Sequence, residues 1–193
     1  MDRPSISPEE AREALDLIDR TTQHMRRSLA HGGAPYFLLI WGVVWMLGFG
    51  ATHFLGPDSP TVGLIWMVLD TIGIIASFAV GWWISKQMRS PRYGATVGIY
   101  WLAWIVYGAL IVYFAHPQSG NQLSMLVALL AMFGYVTTGI LYRSRFLTGL
   151  GLVMTGLILA GYLLWPAYFN LWMAVLGGGS LIAAGVYILR FWR

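Results

Sequence analysis

The run WMVLDTIG at residues 66–73 places one carboxylate, Asp70, in a long stretch that is otherwise free of charge. A carboxyl in such a setting can bind and release a proton, hold a cation or amine, or lock two helices together through a hydrogen bond. Asp70 lies nine residues past Thr61, about 13 Å along a helix that starts there, which is near the middle of a bilayer. Gly73 and Ser77 follow three and seven residues later, on the same helical face. That face is lined with small residues and is expected to point into a bundle. An ionised carboxyl turned to lipid at this depth would cost on the order of 3 kcal/mol. No lysine or arginine lies in the apolar segments to pair with it. The available polar partners are hydroxyls: Ser77, Thr137 and Thr138, with Tyr107 and Tyr135 in mid-span. Thr71, Ser124, Thr155 and Ser180 are further candidates. Two readings stay open. Asp70 with Ser77, Thr137, Thr138, Tyr107 and Tyr135 forms a proton, cation or amine site, or Asp70 is a neutral carboxyl that staples two helices.

The other chemistry-bearing residues offer less. The chain has no cysteine, which excludes disulfides, thiolate metal sites and thiol nucleophiles. Of four histidines, His24 and His31 precede the apolar region, while His53 and His116 close two apolar segments. With Asp58 the latter two could form an outer cluster suited to a divalent metal, but the spacing matches no metal motif. They read as interfacial residues, too close to the surface for haem ligation. No HExxH, phosphate-binding lysine loop or GxSxG elbow occurs. A lone carboxylate cannot supply a general acid and a general base together. No catalytic residue, metal or cofactor is therefore assigned, and an enzyme is not expected.

The elements that would position Asp70 are written in the composition. Hydrophobic residues make up 58% of the 193 and charged residues 10%, with 10 tryptophans and 23 glycines. Long apolar runs with interfacial aromatics and abundant glycine are the mark of a helical membrane protein. Six spans are predicted near residues 36–54, 61–85, 95–115, 122–142, 146–165 and 168–189. The last two are divided only by Pro166-Ala167, so one long bent helix is the alternative there. Ahead of them, Ser7, Pro8 and Glu10 form a capping box with proline at the first helical position. An amphipathic helix is expected to run from there to about His31. Its apolar face is Leu15, Ile18, Met25 and Leu29, a surface for a partner or for the bundle itself. The chain thus divides into a lead and amphipathic helix, 1–31, and a membrane domain, 32–193. The polar, mixed-charge opening does not read as a cleavable signal peptide.

Charge gives an orientation. All seven basic residues beyond residue 31 (Lys86, Arg89, Arg92, Arg143, Arg145, Arg190 and Arg193) fall in connections or ends that six crossings put on one side. The opposite connections carry none. This positive-inside pattern predicts cytoplasmic N- and C-termini, in what reads as a prokaryotic cytoplasmic membrane. It accounts for the net charge of +4 without nucleic acid.

Small residues are expected to hold the helices together, since lipid gives no hydrophobic drive between them. Gly73, Ser77 and Gly81 mark one such line on the second span. Gly134 marks the fourth, Gly156 the fifth and Ser180 the sixth. The GGGS at 177–180 reads as a packing site or kink. The endings GWWISK at 81–86, GILYR at 139–143 and GVYILR at 185–190 rhyme, so a threefold helical-hairpin repeat is one reading of the bundle. The fold class is all-α, a polytopic six-helix transmembrane bundle with an N-terminal amphipathic cytoplasmic helix. The expected function is that of an accessory or regulatory integral membrane protein, acting through self-association or through a membrane or cytoplasmic protein partner. The alternative is a small transporter or channel subunit for a proton, cation or small amine, built on Asp70.

Overall fold

The computed structural model describes residues 33–86, 91–141 and 143–191, together with Glu9, Arg12 and Glu13; the side chains of residues 85 and 91–97 are not described. The amphipathic face at Leu15, Ile18, Met25 and Leu29 lies outside the described residues. Six helical segments long and apolar enough to cross a bilayer form an all-α bundle. The protein is a membrane protein.

Each segment begins where the chain supplies a start signal. Gly33, at φ 84°, turns the chain into α1 (Ala34–Leu55), and Pro35 sits in its first turn. Residues 56–59 form the turn to α2 (Pro60–Ser85), again with proline at the start. The third segment, α3 (Pro91–Ala115), opens on a proline as well, and α4 (Gly120–Leu141) follows a short polar turn. Between α4 and α5 (Arg145–Leu164), Ser144 caps the new helix by accepting a bond from the Leu147 N–H at 3.3 Å.

The sixth segment is broken in character. A 3-10 turn at Pro166–Tyr168 separates it from α5 and replaces the long bent helix that the sequence left open. It continues as a short α6 (Phe169–Trp172), a π-helical stretch at Met173–Gly178, and α7 (Gly179–Phe191). The π turns widen the helix by one residue per turn, which brings both Gly177 and Gly178 onto the buried face.

Packing follows the order second, first, sixth, fifth, fourth, third segment. The most extensive contacts join α4 to α5 and α1 to the sixth segment, whereas α2 and α3 barely touch one another. The core holds Leu38, Trp45 and Phe49 from α1, Met132 from α4, Met154 and Ile158 from α5, and Phe169, Met173, Leu181 and Ile188 from the sixth segment. Backbones approach closely where glycines allow it. A methyl group at Gly178 would stand 2.7 Å from the Gly42 carbonyl oxygen, and one at Gly42 would stand 3.0 Å from the Gly178 carbonyl oxygen. Neither glycine could become alanine without separating α1 from the π-helical stretch. Dispersion across such contacts is the chief attraction available between helices in lipid.

The three hairpins are not equally packed. The first is extensive, the middle one is loose, and α4 is held mainly by α5, its neighbour in the next hairpin. The π-helical stretch belongs to the sixth segment alone among the described residues.

Candidate functional site

Asp70 lies midway along α2 and is half-buried. Its position follows from the residues that dock α2 on α1. One helical turn before it, the Trp66 indole N–H donates to the Thr52 hydroxyl at 2.9 Å, and that hydroxyl donates to the Gly48 carbonyl at 2.7 Å. The Trp66 ring lies on Gly48, where a methyl group would come within 2.6 Å of it, and packs edge-on to Phe49 at 5.1 Å. Three residues after Asp70, Gly73 rests against Val44 and Trp41 of α1. Asp70 therefore sits beside the α1–α2 contact, on its flank. Among the described residues it makes no hydrogen bond or ion pair. Ser77, two turns further on the same flank, holds its hydroxyl oxygen away from solvent and without a partner among the described residues.

The other polar residues expected near Asp70 are on α3 and α4. Thr137 donates to the Phe133 carbonyl at 2.8 Å and shares a hydrogen bond with the Tyr100 hydroxyl. Thr138 keeps a buried hydroxyl oxygen without a partner among the described residues. Tyr135 is half-buried beside Trp101, at a ring separation of 6.2 Å, and Tyr107 is 68% exposed on the outer surface of α3. Trp101 and Trp104 close on Gly134, so α3 is attached to α4 by one stripe of aromatic rings. No hydrogen bond joins this group to Asp70 among the described residues.

The glycines and serine singled out for packing divide. Gly73 and Gly134 are buried against neighbouring helices, while a methyl group at Gly81 or Gly156 would meet nothing within 4 Å. Ser180 is half-buried at the start of α7. Closer approaches occur at Gly42, Gly48, Gly151, Gly161 and Gly178. Gly161 receives the Trp172 ring, whose N–H donates to the Leu157 carbonyl at 2.9 Å. Two of these five, Gly48 and Gly161, each receive a tryptophan ring, Trp66 or Trp172, from the helix that follows in the chain.

At the end of the bundle that carries residues 56–59, three connections are tied together. The Asp58 carboxylate accepts from the Gly120 N–H at 2.9 Å, which places a negative charge at the first turn of α4. Asn121 donates to the Pro166 carbonyl at 3.4 Å, and Asn170, 5% exposed, donates to the Asn121 side-chain oxygen at 2.7 Å. Asp58 thus serves as a cap for α4. His53 lies beside Phe54 and Tyr168, and His116 beside Tyr113. Among the described residues no three His, Asp or Glu side chains come together as a metal site would require.

At the opposite end stand Lys86, Arg143, Arg145 and Arg190. The Lys86 ammonium lies over the Trp82 ring, 3.4 Å from its centre. The arginines are exposed. Comparison of the chain with protein-family models, with curated proteins and with solved structures finds no match. The geometry alone therefore carries the functional reading.

Proposed function

We propose that this membrane-embedded bundle is an accessory or regulatory protein, and that the flank of α2 carrying Asp70 is where it meets a transmembrane helix of a partner protein. The observation that carries this reading is the half-buried carboxyl at mid-membrane depth with no partner among the described residues. A helix that brings a hydrogen-bond donor to Asp70 would relieve the cost of holding that group in hydrocarbon. The apolar surroundings on α2 support the same reading: Met67, Ile74 and Phe78, on the same side of the helix as Asp70, are 59%, 39% and 75% exposed. The apolar face at Leu15, Ile18, Met25 and Leu29 is a second proposed contact, for a cytoplasmic partner. Both rest on the orientation that the basic residues imply, with the N- and C-termini in the cytoplasm and residues 32–193 in the membrane.

Transport is the competing reading. It is supported by the oxygens of Asp70 and Ser77 on one flank of α2, unpartnered among the described residues, which a cation or proton could use. Asp70→Asn separates the two readings. An asparagine keeps the hydrogen-bonding capacity of the side chain, so partner binding persists, whereas exchange of a proton or cation is lost. The test compares wild type, Asp70→Asn and Asp70→Leu by complex size in gently solubilised native membranes and by cation flux in proteoliposomes. The proposal expects a complex in wild type and Asp70→Asn, its loss in Asp70→Leu, and no flux from the purified chain. Flux that Asp70→Asn abolishes overturns it in favour of transport.

A further inference from the structure

The turn from α4 to α5 is built with an arginine where the backbone favours glycine. The Ser144 N–H donates to the Gly139 carbonyl at 2.7 Å and the Arg143 N–H donates to the Ile140 carbonyl at 3.0 Å. Together these bonds make a helix-ending Schellman turn with Arg143 in the left-handed position, at φ 51°. Glycine enters that region freely, while a side chain there carries a steric penalty. Ser144 then caps α5, so one residue ends one helix and starts the next. The cost of the arginine is not returned by an ion pair, because Arg143 has none among the described residues.

Next to this turn is an open groove of about 470 Å³ between the ends of α4 and α5. Arg143, Ser144, Arg145 and Thr148 line it together with apolar Ile140 and Leu152, and its surface is mostly apolar. Ile140 and Leu152 are 63% and 58% exposed, so the walls continue into the lipid-facing surface. Gly149 also lines the groove, and a methyl group there would meet nothing within 4 Å. Phe146 stacks on Tyr187 at 6.2 Å, which brings the basic end of α7, with Arg190, to the same end of the bundle.

We infer that this groove holds an anionic phospholipid, its phosphate between Arg143 and Arg145 and one acyl chain along Ile140 and Leu152. Two guanidinium groups match a phosphate in charge and in hydrogen-bonding geometry. Apolar walls that open sideways into the bilayer suit a chain that stays in lipid, and they give a water-soluble anion nothing. Basic pockets between transmembrane helices recognise headgroups in this way. The inference does not depend on the role of Asp70.

The test uses the purified, delipidated full chain in detergent, titrated with dioleoyl phosphatidylglycerol, dioleoyl phosphatidylcholine or glycerol 3-phosphate. Binding is read by native mass spectrometry and by the shift in Tm. Phosphatidylglycerol is expected to bind about thirty-fold more tightly than phosphatidylcholine, the factor that two arginines near an anionic headgroup supply. Glycerol 3-phosphate is expected to leave Tm unchanged. R143G/R145Q removes the charges while giving the turn its preferred residue, so the variant folds and its preference falls to the phosphatidylcholine level. Gly149→Leu fills the groove from open space and weakens both lipids. Equal binding of the two lipids by wild type overturns the inference. So does an unchanged preference in R143G/R145Q, or an equal Tm rise with glycerol 3-phosphate.

Discussion

The helices of this bundle fall into two groups that differ in what surrounds them. In the sixth segment, 44% of the most apolar window is buried, and in α1 39%; the figures are 11% for α2 and 6% for α3. The first, fourth, fifth and sixth segments share one core, while α2 and α3 each hang on a single neighbour and present most of their surface outward. Yet α2 carries a carboxyl, Asp70, midway along its length. Under the proposed function, stability and interaction belong to different helices. The interior group gains from tight backbone contact, and the outer group holds Asp70 without a hydrogen bond or ion pair among the described residues.

Substitutions at matched residue types break or sharpen this division. The largest effect is expected at Gly178→Leu, where the new side chain meets the backbone of α1. Overpacking a contact of this kind should cost about 3 kcal/mol or more, read as loss of a monodisperse peak in detergent. Gly42→Leu should behave alike. Next comes the link between the groups. Trp66→Phe removes the indole bond to Thr52 and should lower stability by about 1 kcal/mol, with α2 loosened before the core melts. Hydrogen exchange resolved along the chain would report that order; simultaneous loosening of α2 and α7 would show that the division is wrong. Asp58→Ala frees the first turn of α4, a smaller loss that added salt should shrink because the carboxylate is exposed. Smallest of all are Gly81→Leu and Gly156→Leu, which face open space and should change stability by within about 0.5 kcal/mol. A large loss at either would mean that the helix touches something this structure does not contain.

Much of this architecture is legible in the sequence, and the unread part has a physical cause. The six apolar runs are visible because a span needs about twenty uncharged residues. The turns are visible because Gly33, Pro60, Pro91, Ser144 and Pro166 interrupt or start helices. The spacing of Gly73 and Ser77 gives Asp70 a face expected to point into the bundle, whereas Asp70 lies half-buried on the flank of the α1–α2 contact. Which helices are central could not be read. In a soluble protein the buried face is the apolar one, but here outward-facing Phe78 and core-facing Phe49 are equally apolar. For the same reason Gly81 and Gly178 look alike in sequence, although one faces open space and the other touches a neighbouring backbone. The bond from Asp58 to Gly120 spans 62 residues and has no local signature. The π-helical stretch at Met173–Gly178, which packs against α1, is likewise beyond anything the glycine cluster alone announces.

The central claim, that contact with other proteins belongs to the Asp70 flank of α2 while the other exposed faces meet lipid, can be tested directly because the chain contains no cysteine. Single cysteines at Phe78 on α2, Val153 on α5 and Leu163 near the end of α5 are labelled with a short photoactivatable maleimide in native membranes. The account predicts a protein adduct from Phe78, lipid adducts from Val153 and Leu163, and loss of the protein adduct when Asp70→Leu is added. Protein adducts from all three positions, or a Phe78 adduct indifferent to Asp70→Leu, would contradict it.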